Sequence, residues 1–129
     1  MNNIEEGRDL QIDFLKLKQI TKIKENVIPV VVQNAETGEV LIVAYANQKA
    51  LDYTLKNNVA AFWSTSRNEL WVKGNTSGEI LNLVDVRVNC DQNSLLYRVL
   101  PTKKNACHTN RSTCYYRKIS DENLEFVEY

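Results

Sequence analysis

Two runs of β-branched and aliphatic residues, Ile28-Pro29-Val30-Val31-Val32-Gln33 and Val40-Leu41-Ile42-Val43-Ala44-Tyr45, flank a turn cluster, Ala35-Glu36-Thr37-Gly38, whose glycine comes last. Runs this short and this rich in branched side chains read as strands, and the connection predicts a hairpin of two well-buried strands. Asn47 then stands at an N-cap position ahead of residues 48–55, where Ala50, Leu51 and Leu55 form one helical face. A second hairpin is expected from residues 59–63 and 70–72 around Ser66-Arg67-Asn68-Glu69, and two further strands from residues 81–88 and from 95–100, the latter ended by Pro101. Upstream, Leu10, Phe14, Leu17 and Ile20 recur at helical spacing, which predicts a short amphipathic helix within residues 9–24. The acid-rich tail after Lys118 carries no firm pattern. The expected fold is α+β, a mainly antiparallel sheet with two short helices, in a single domain over residues 1–129.

Charge and hydropathy remove several classes of function. Lysine and arginine total 16, as do aspartate and glutamate, so no overall field draws the chain to nucleic acid. Mean hydropathy is −0.38 and no apolar run approaches the length of a bilayer span, so no membrane partner is expected. The N-terminus lacks the basic and apolar regions of a secretory signal, which points to the cytoplasm.

A chain of 129 residues buries about two thirds of its unfolded surface and needs no disulfide staples. Its three cysteines, Cys90, Cys107 and Cys114, all fall in the last third. An odd count in a cytosolic chain leaves inert buried thiols or metal ligands. The intervals differ from the paired spacing of structural zinc ribbons. If the three thiolates converge, they form a soft three-ligand zinc site with an open fourth position, the catalytic arrangement. His108, the one histidine, adjoins Cys107 and is a candidate proton carrier or ligand to a second ion. Two further stretches, 64–67 and 73–78, bring hydroxyls and one cation each, with glycines in the second, the materials of either a phosphate cradle or an ordinary turn.

From about residue 27 to 117 the chain carries, in order, Ile28-Pro29, Thr37-Gly38-Glu39-Val40-Leu41, Ala44-Tyr45-Ala46-Asn47 and Phe62-Trp63-Ser64-Thr65-Ser66-Arg67. Leu70-Trp71-Val72-Lys73-Gly74-Asn75-Thr76-Ser77-Gly78, Cys90-Asp91, Cys107-His108-Thr109 and Ser112-Thr113-Cys114-Tyr115 follow. With these motifs the chain resembles the phosphoribosyl-AMP cyclohydrolase family of histidine biosynthesis, which opens the purine ring of N1-(5-phosphoribosyl)-AMP. The resemblance implies an intertwined homodimer with zinc at its interface, Cys90 from one subunit meeting Cys107 and Cys114 of the partner subunit. It assigns proton transfer to His108, and substrate orientation to Asp91. Substrate phosphates fall to Ser64, Ser66, Arg67, Lys73, Thr76 and Ser77, with amides near Gly74 and Gly78 assisting.

The chain also departs from that pattern. Family members hold magnesium with Asp-Cys-Asp-x-Asp, whereas this chain has Asn89-Cys90-Asp91-Gln92-Asn93, one carboxylate in place of three. Magnesium held by Asp91 with Asn89 and Asn93 is expected to bind much more weakly. Asp85, Glu69 and Glu79 are the candidate compensating acids. Thr65, Val72 and Asn75 replace an arginine, a histidine and a glutamate. Three readings stay open: the cyclohydrolase itself, a divergent zinc hydrolase of another nucleotide or heterocycle, and a non-catalytic zinc-stabilised dimer.

Overall fold

The β-branched runs become one half of a four-stranded sheet. The computed structural model describes residues 3–74, 78–102 and 111–127. β1 (Ile28–Asn34) and β2 (Val40–Ala46) pair antiparallel, from Ile28 opposite Ala46 to Gln33 opposite Val40, with a bulge after Val32. Asn34 makes the connection: its side-chain oxygen accepts from the main-chain N–H groups of Glu36 and Thr37, and Gly38 closes it at φ +79°. An Asx-type turn ended by a left-handed residue is what the placement of asparagine and glycine favours.

β5 (Leu81–Val88) and β6 (Leu95–Pro101) form the other antiparallel pair. β6 also lies parallel to β1, with Val30 opposite Leu95 and Asn34 opposite Val99, so the strand order is β2-β1-β6-β5. The expected antiparallel sheet is therefore mixed at its centre. Parallel neighbours need a long crossover, and the segment between β2 and β5, with α3 (Gln48–Asn57), β3 (Ala61–Ser64) and β4 (Glu69–Val72), supplies it. Pro101 closes β6, as a residue without an N–H does at a strand end.

The core lies between this sheet and the crossover, built on Val30, Val32, Leu41, Phe62, Leu81, Tyr97 and Val99. Asn47 caps α3, its side chain accepting from the Ala50 N–H at 3.0 Å. The buried face of that helix runs through Ala50 and Thr54, while Leu55, expected inside, is exposed. Thr54 tolerates burial because its hydroxyl donates to the Ala50 carbonyl and accepts from the Ala61 N–H, joining α3 to β3.

Two expectations are corrected at the termini. The helix expected within 9–24 shrinks to α2 (Lys16–Ile20), and of its four periodic apolar residues only Ile20 is buried, with Phe14 85% and Leu17 63% exposed. Asp13 accepts from the Leu15 N–H at 3.0 Å, and Asp9 bridges to Asn123, so local side-chain bonding and a tertiary pairing compete with helix nucleation. A further turn, α1 (Asn3–Glu6), makes three helices in place of two. The tail after Lys118 is ordered as a hairpin of β7 (Arg117–Ser120) and β8 (Asn123–Phe126), where Phe126 stacks on Tyr116 with ring centroids 6.1 Å apart. No helix among the described residues is long and apolar enough to cross a membrane.

Candidate functional site

The turn joining β5 to β6 carries Cys90 and Asp91, both exposed. Asn89 builds it: its side-chain oxygen accepts from the N–H groups of Asn93 and Ser94, each at 2.9 Å, and its Nδ2 donates to Asn93 Oδ1 at 2.6 Å. Gln92 sits at φ 53°, the left-handed position that lets so short a segment reverse. Both carboxamide oxygens thus receive N–H donors, and Asp91 alone brings a carboxylate. This donor set does not fit a divalent magnesium ion, which asks for several anionic or free oxygens in octahedral array.

Cys114 is positioned by its neighbour. The buried Thr113 donates to the Val40 carbonyl at 2.7 Å, the Tyr115 N–H donates to the Thr113 hydroxyl, and the Cys114 N–H donates to the Leu41 carbonyl at 2.8 Å. The Cys114 thiol is consequently presented to solvent along the outer edge of β2. Burial, and then the adjacent Cys114, push the Tyr115 phenol above its ordinary pKa. Behind this segment Arg111 lies 4.2 Å from the Tyr116 ring centre and pairs with Glu6 at 3.3 Å, while Arg117 donates to the carbonyls of Ile4 and Gly7. Thr113 and this N-terminal strap were not singled out by sequence reasoning. The Thr113-Cys114 dipeptide was in view, but nothing local shows which carbonyl a threonine will find.

Sheet order decides what one protomer can assemble. Cys90 follows one edge strand and Cys114 lies against the outer side of the other, at least three strand spacings apart, or about 14 Å or more laterally. Two thiolates on one zinc stand no more than about 4.6 Å apart. A single protomer therefore does not bring Cys90 and Cys114 to one ion, and among the described residues no three His, Cys, Asp or Glu side chains cluster for a metal. As chemistry, two solvent-facing cysteine thiols suit zinc. Cys107 and His108 lie outside the described residues.

The two hydroxyl-rich stretches fall at opposite ends of the β3–β4 hairpin, in which Ser64 faces Glu69 and Ala61 faces Val72. At one end Ser64 and Ser66 hydroxyls lie 3.4 Å apart, the Arg67 N–H donates to Ser64, and the exposed Arg67 stands 4.0 Å from Glu69. At the other end, about 10–13 Å away along the strands, are Lys73, Gly74 and Gly78. Lys73 is only 6% exposed, and its ammonium has no hydrogen-bond or ion-pair partner among the described residues. Gly74 is held at φ +82° against the main chain of Glu79 and Ile80, and its carbonyl accepts from the Gly78 N–H at 2.8 Å. Asn75, Thr76 and Ser77 lie outside the described residues. Thr65 and Val72 are partly buried and bring no charge to either end. Of the compensating acids, Asp85 is held by Arg98 at 2.8 Å and Arg87 at 3.3 Å, Glu69 sits at the hairpin tip, and the Glu79 main chain is pressed on Gly74.

Comparison with known proteins gives these segments a common setting. The chain is 45% identical over 101 residues to the phosphoribosyl-AMP cyclohydrolase of Archaeoglobus fulgidus, spanning 78% of this chain and 93% of that protein. It is 39% identical over 117 residues to the phosphoribosyl-AMP cyclohydrolase of Prosthecochloris aestuarii, covering 91% and 83% of the two chains. It is also 42% identical over 102 residues to the histidine biosynthesis bifunctional protein of Aquifex aeolicus, of which the match covers 50%. The family model described as phosphoribosyl-AMP cyclohydrolase matches residues 42–116, from within β2 to the start of the C-terminal hairpin. The chain belongs to the phosphoribosyl-AMP cyclohydrolase family, a family of hydrolases.

Proposed function

We propose that this chain hydrolyses N1-(5-phosphoribosyl)-AMP in histidine biosynthesis, opening the adenine ring between N1 and C6. The observation that carries this reading is the family match across residues 42–116, which contains the whole crossover, the Cys90 turn and Cys114. C6 is electrophilic because N1 carries a phosphoribosyl group. The oxygen of water bonds to C6, the C6–N1 bond breaks with its electron pair going to N1, and water's two protons go to N1 and to the exocyclic imino nitrogen on C6. C6 then becomes the carbon of a carboxamide.

Zinc held by Cys90 of one protomer with Cys107 and Cys114 of the partner subunit would supply the Lewis acidity that makes water a competent nucleophile near neutral pH. The separation of Cys90 and Cys114 within one protomer supports a shared site, and with it a homodimer. His108 is assigned the proton that N1 receives, and Asp91 orients substrate beside Cys90. Lys73 supports an anionic substrate most directly, since a buried cation with no counter-charge among the described residues is costly and a bound phosphate supplies one. The substrate carries two phosphates, and the hairpin offers cations at both ends, Arg67 and Lys73.

The test is ring opening of N1-(5-phosphoribosyl)-AMP by the zinc-loaded full chain, followed by ultraviolet absorbance. Turnover is expected, and Lys73→Met should raise KM by about tenfold or more, the loss of one charge-assisted phosphate contact. A folded, zinc-bound protein that leaves this substrate intact would exclude the activity.

A further inference from the structure

We infer that the turn presenting Cys90 is locked by its own carboxamides and takes up no magnesium, a departure from the acidic turn of the family. Three hydrogen bonds carry the inference. Asn89 Oδ1 accepts from the N–H groups of both Asn93 and Ser94, and Asn89 Nδ2 donates to Asn93 Oδ1 at 2.6 Å. An aspartate at 89 could accept the same two main-chain bonds but has no hydrogen to donate. Opposite an aspartate at 93 it would meet like charge at hydrogen-bond distance, and a cation would have to separate the two. The amide pair replaces that requirement with one direct bond.

A divalent ion entering here would have to displace these donors from neutral oxygens and would gain only Asp91 as an anionic ligand. Asp85 does not make up the deficit. Alternation along β5 and beyond puts residues 85, 87 and 89 on one face, but Arg98 at 2.8 Å and Arg87 at 3.3 Å already neutralise Asp85. Asparagines at 89 and 93 thus hold the Cys90 turn by direct hydrogen bonds, with no second metal required.

Magnesium binding is read without turnover, so the result stands apart from the proposed activity. Full-length, zinc-loaded protein dialysed free of magnesium is titrated with magnesium chloride by calorimetry, alongside the side-chain amide resonances of Asn89 and Asn93. The wild type should show no saturable uptake tighter than about 1 mM and no movement of these resonances. Asn89→Asp/Asn93→Asp should bind magnesium at least about tenfold more tightly and melt at a higher temperature with the ion than without it, folding only with magnesium being the extreme form of that result. Saturable uptake by the wild type that shifts the Asn89 and Asn93 resonances would overturn the inference, as would a folded double variant indifferent to magnesium.

Discussion

Gly74→Ala probes the path of the loop beside Lys73 through two separable penalties. Gly74 sits at φ +82°, and a Cβ there would lie 2.3 Å from the Glu79 carbonyl carbon, 2.5 Å from the Ile80 nitrogen and 2.6 Å from the Glu79 oxygen. All three are main-chain atoms, so no side chain can swing aside. Left-handed backbone costs alanine about 1–2 kcal/mol, and forcing the 79–80 main chain away adds about 1–3 kcal/mol, for a total of about 2–5 kcal/mol. Gly38 is the internal control: its φ is +79°, but nothing lies within 4 Å of the added Cβ, so Gly38→Ala pays the backbone penalty alone. Urea unfolding at one fixed protein concentration, with slopes near 2 kcal/mol per molar, should show Gly74→Ala losing about 1–2.5 M of midpoint and Gly38→Ala at most about 1 M. Lys73 adjoins the displaced residue, so KM for a phosphate-bearing substrate should rise in Gly74→Ala and not in Gly38→Ala. Equal midpoints for the two variants would mean that the main chain of residues 79–80 does not pass over Gly74, and that Lys73 is not held where the structure places it.

Burial raises the Tyr97 phenol above its ordinary pKa of 10.0, so the folded protein holds that proton where the unfolded chain has begun to release it, and stability should fall as pH rises through 10. Tyr97→Phe should cost about 1 kcal/mol at pH 8, from the hydroxyl that donates to the Ala61 carbonyl, and should flatten this alkaline loss; Tyr115, raised in the same direction, keeps it from vanishing. Urea midpoints between pH 8 and 11 check both. Asp85→Asn weakens a part-buried, charge-assisted contact to Arg98 and should cost about 1–2 kcal/mol, whereas Glu6→Gln, opposite a more exposed Arg111, should cost less than about 1 kcal/mol and vanish in high salt. Thermal melts at low and high ionic strength separate the two.

What was legible in the sequence is what short-range chemistry dictates. The β1–β2 hairpin was written in branched runs around Asn34 and Gly38, and the start of α3 in Asn47, because a turn and a cap are decided within five residues. The parallel contact of β1 with β6 joins residues some sixty-five positions apart, and no periodicity encodes which edge a returning strand will choose. Leu55, expected inside, lies exposed for a related reason. Spacing pointed to a face of Ala50, Leu51 and Leu55, whereas the Ala61 N–H, a partner contributed by β3, lets the Thr54 hydroxyl be buried instead. At the site, residue types pointed to thiolate and phosphate chemistry, but the isolation of Cys90 from Cys114 follows from strand order, which is a global property.

That isolation has a consequence that subunit mixing can read. If Cys90 serves a site completed by Cys107 and Cys114 of the partner subunit, Cys90→Ser and Cys114→Ser homodimers each lack one ligand at both sites and should be inactive. In a mixed dimer the Cys114→Ser chain still offers Cys90 and the Cys90→Ser chain still offers Cys107 and Cys114, so one of the two symmetric sites is whole and the other lacks two ligands. Random reassortment puts half of the chains into mixed dimers, and about a quarter of wild-type activity should return, with zinc retained in the same proportion. Refolding the two variants together from denaturant, followed by metal analysis and turnover, gives both numbers. A zinc site built within one protomer predicts the opposite, because every chain would then carry a defective site whatever its partner. No recovery from a mixture shown to contain mixed dimers would therefore mean that Cys90 and Cys114 meet inside one chain, against the order β2-β1-β6-β5 that sets them at opposite edges of the sheet.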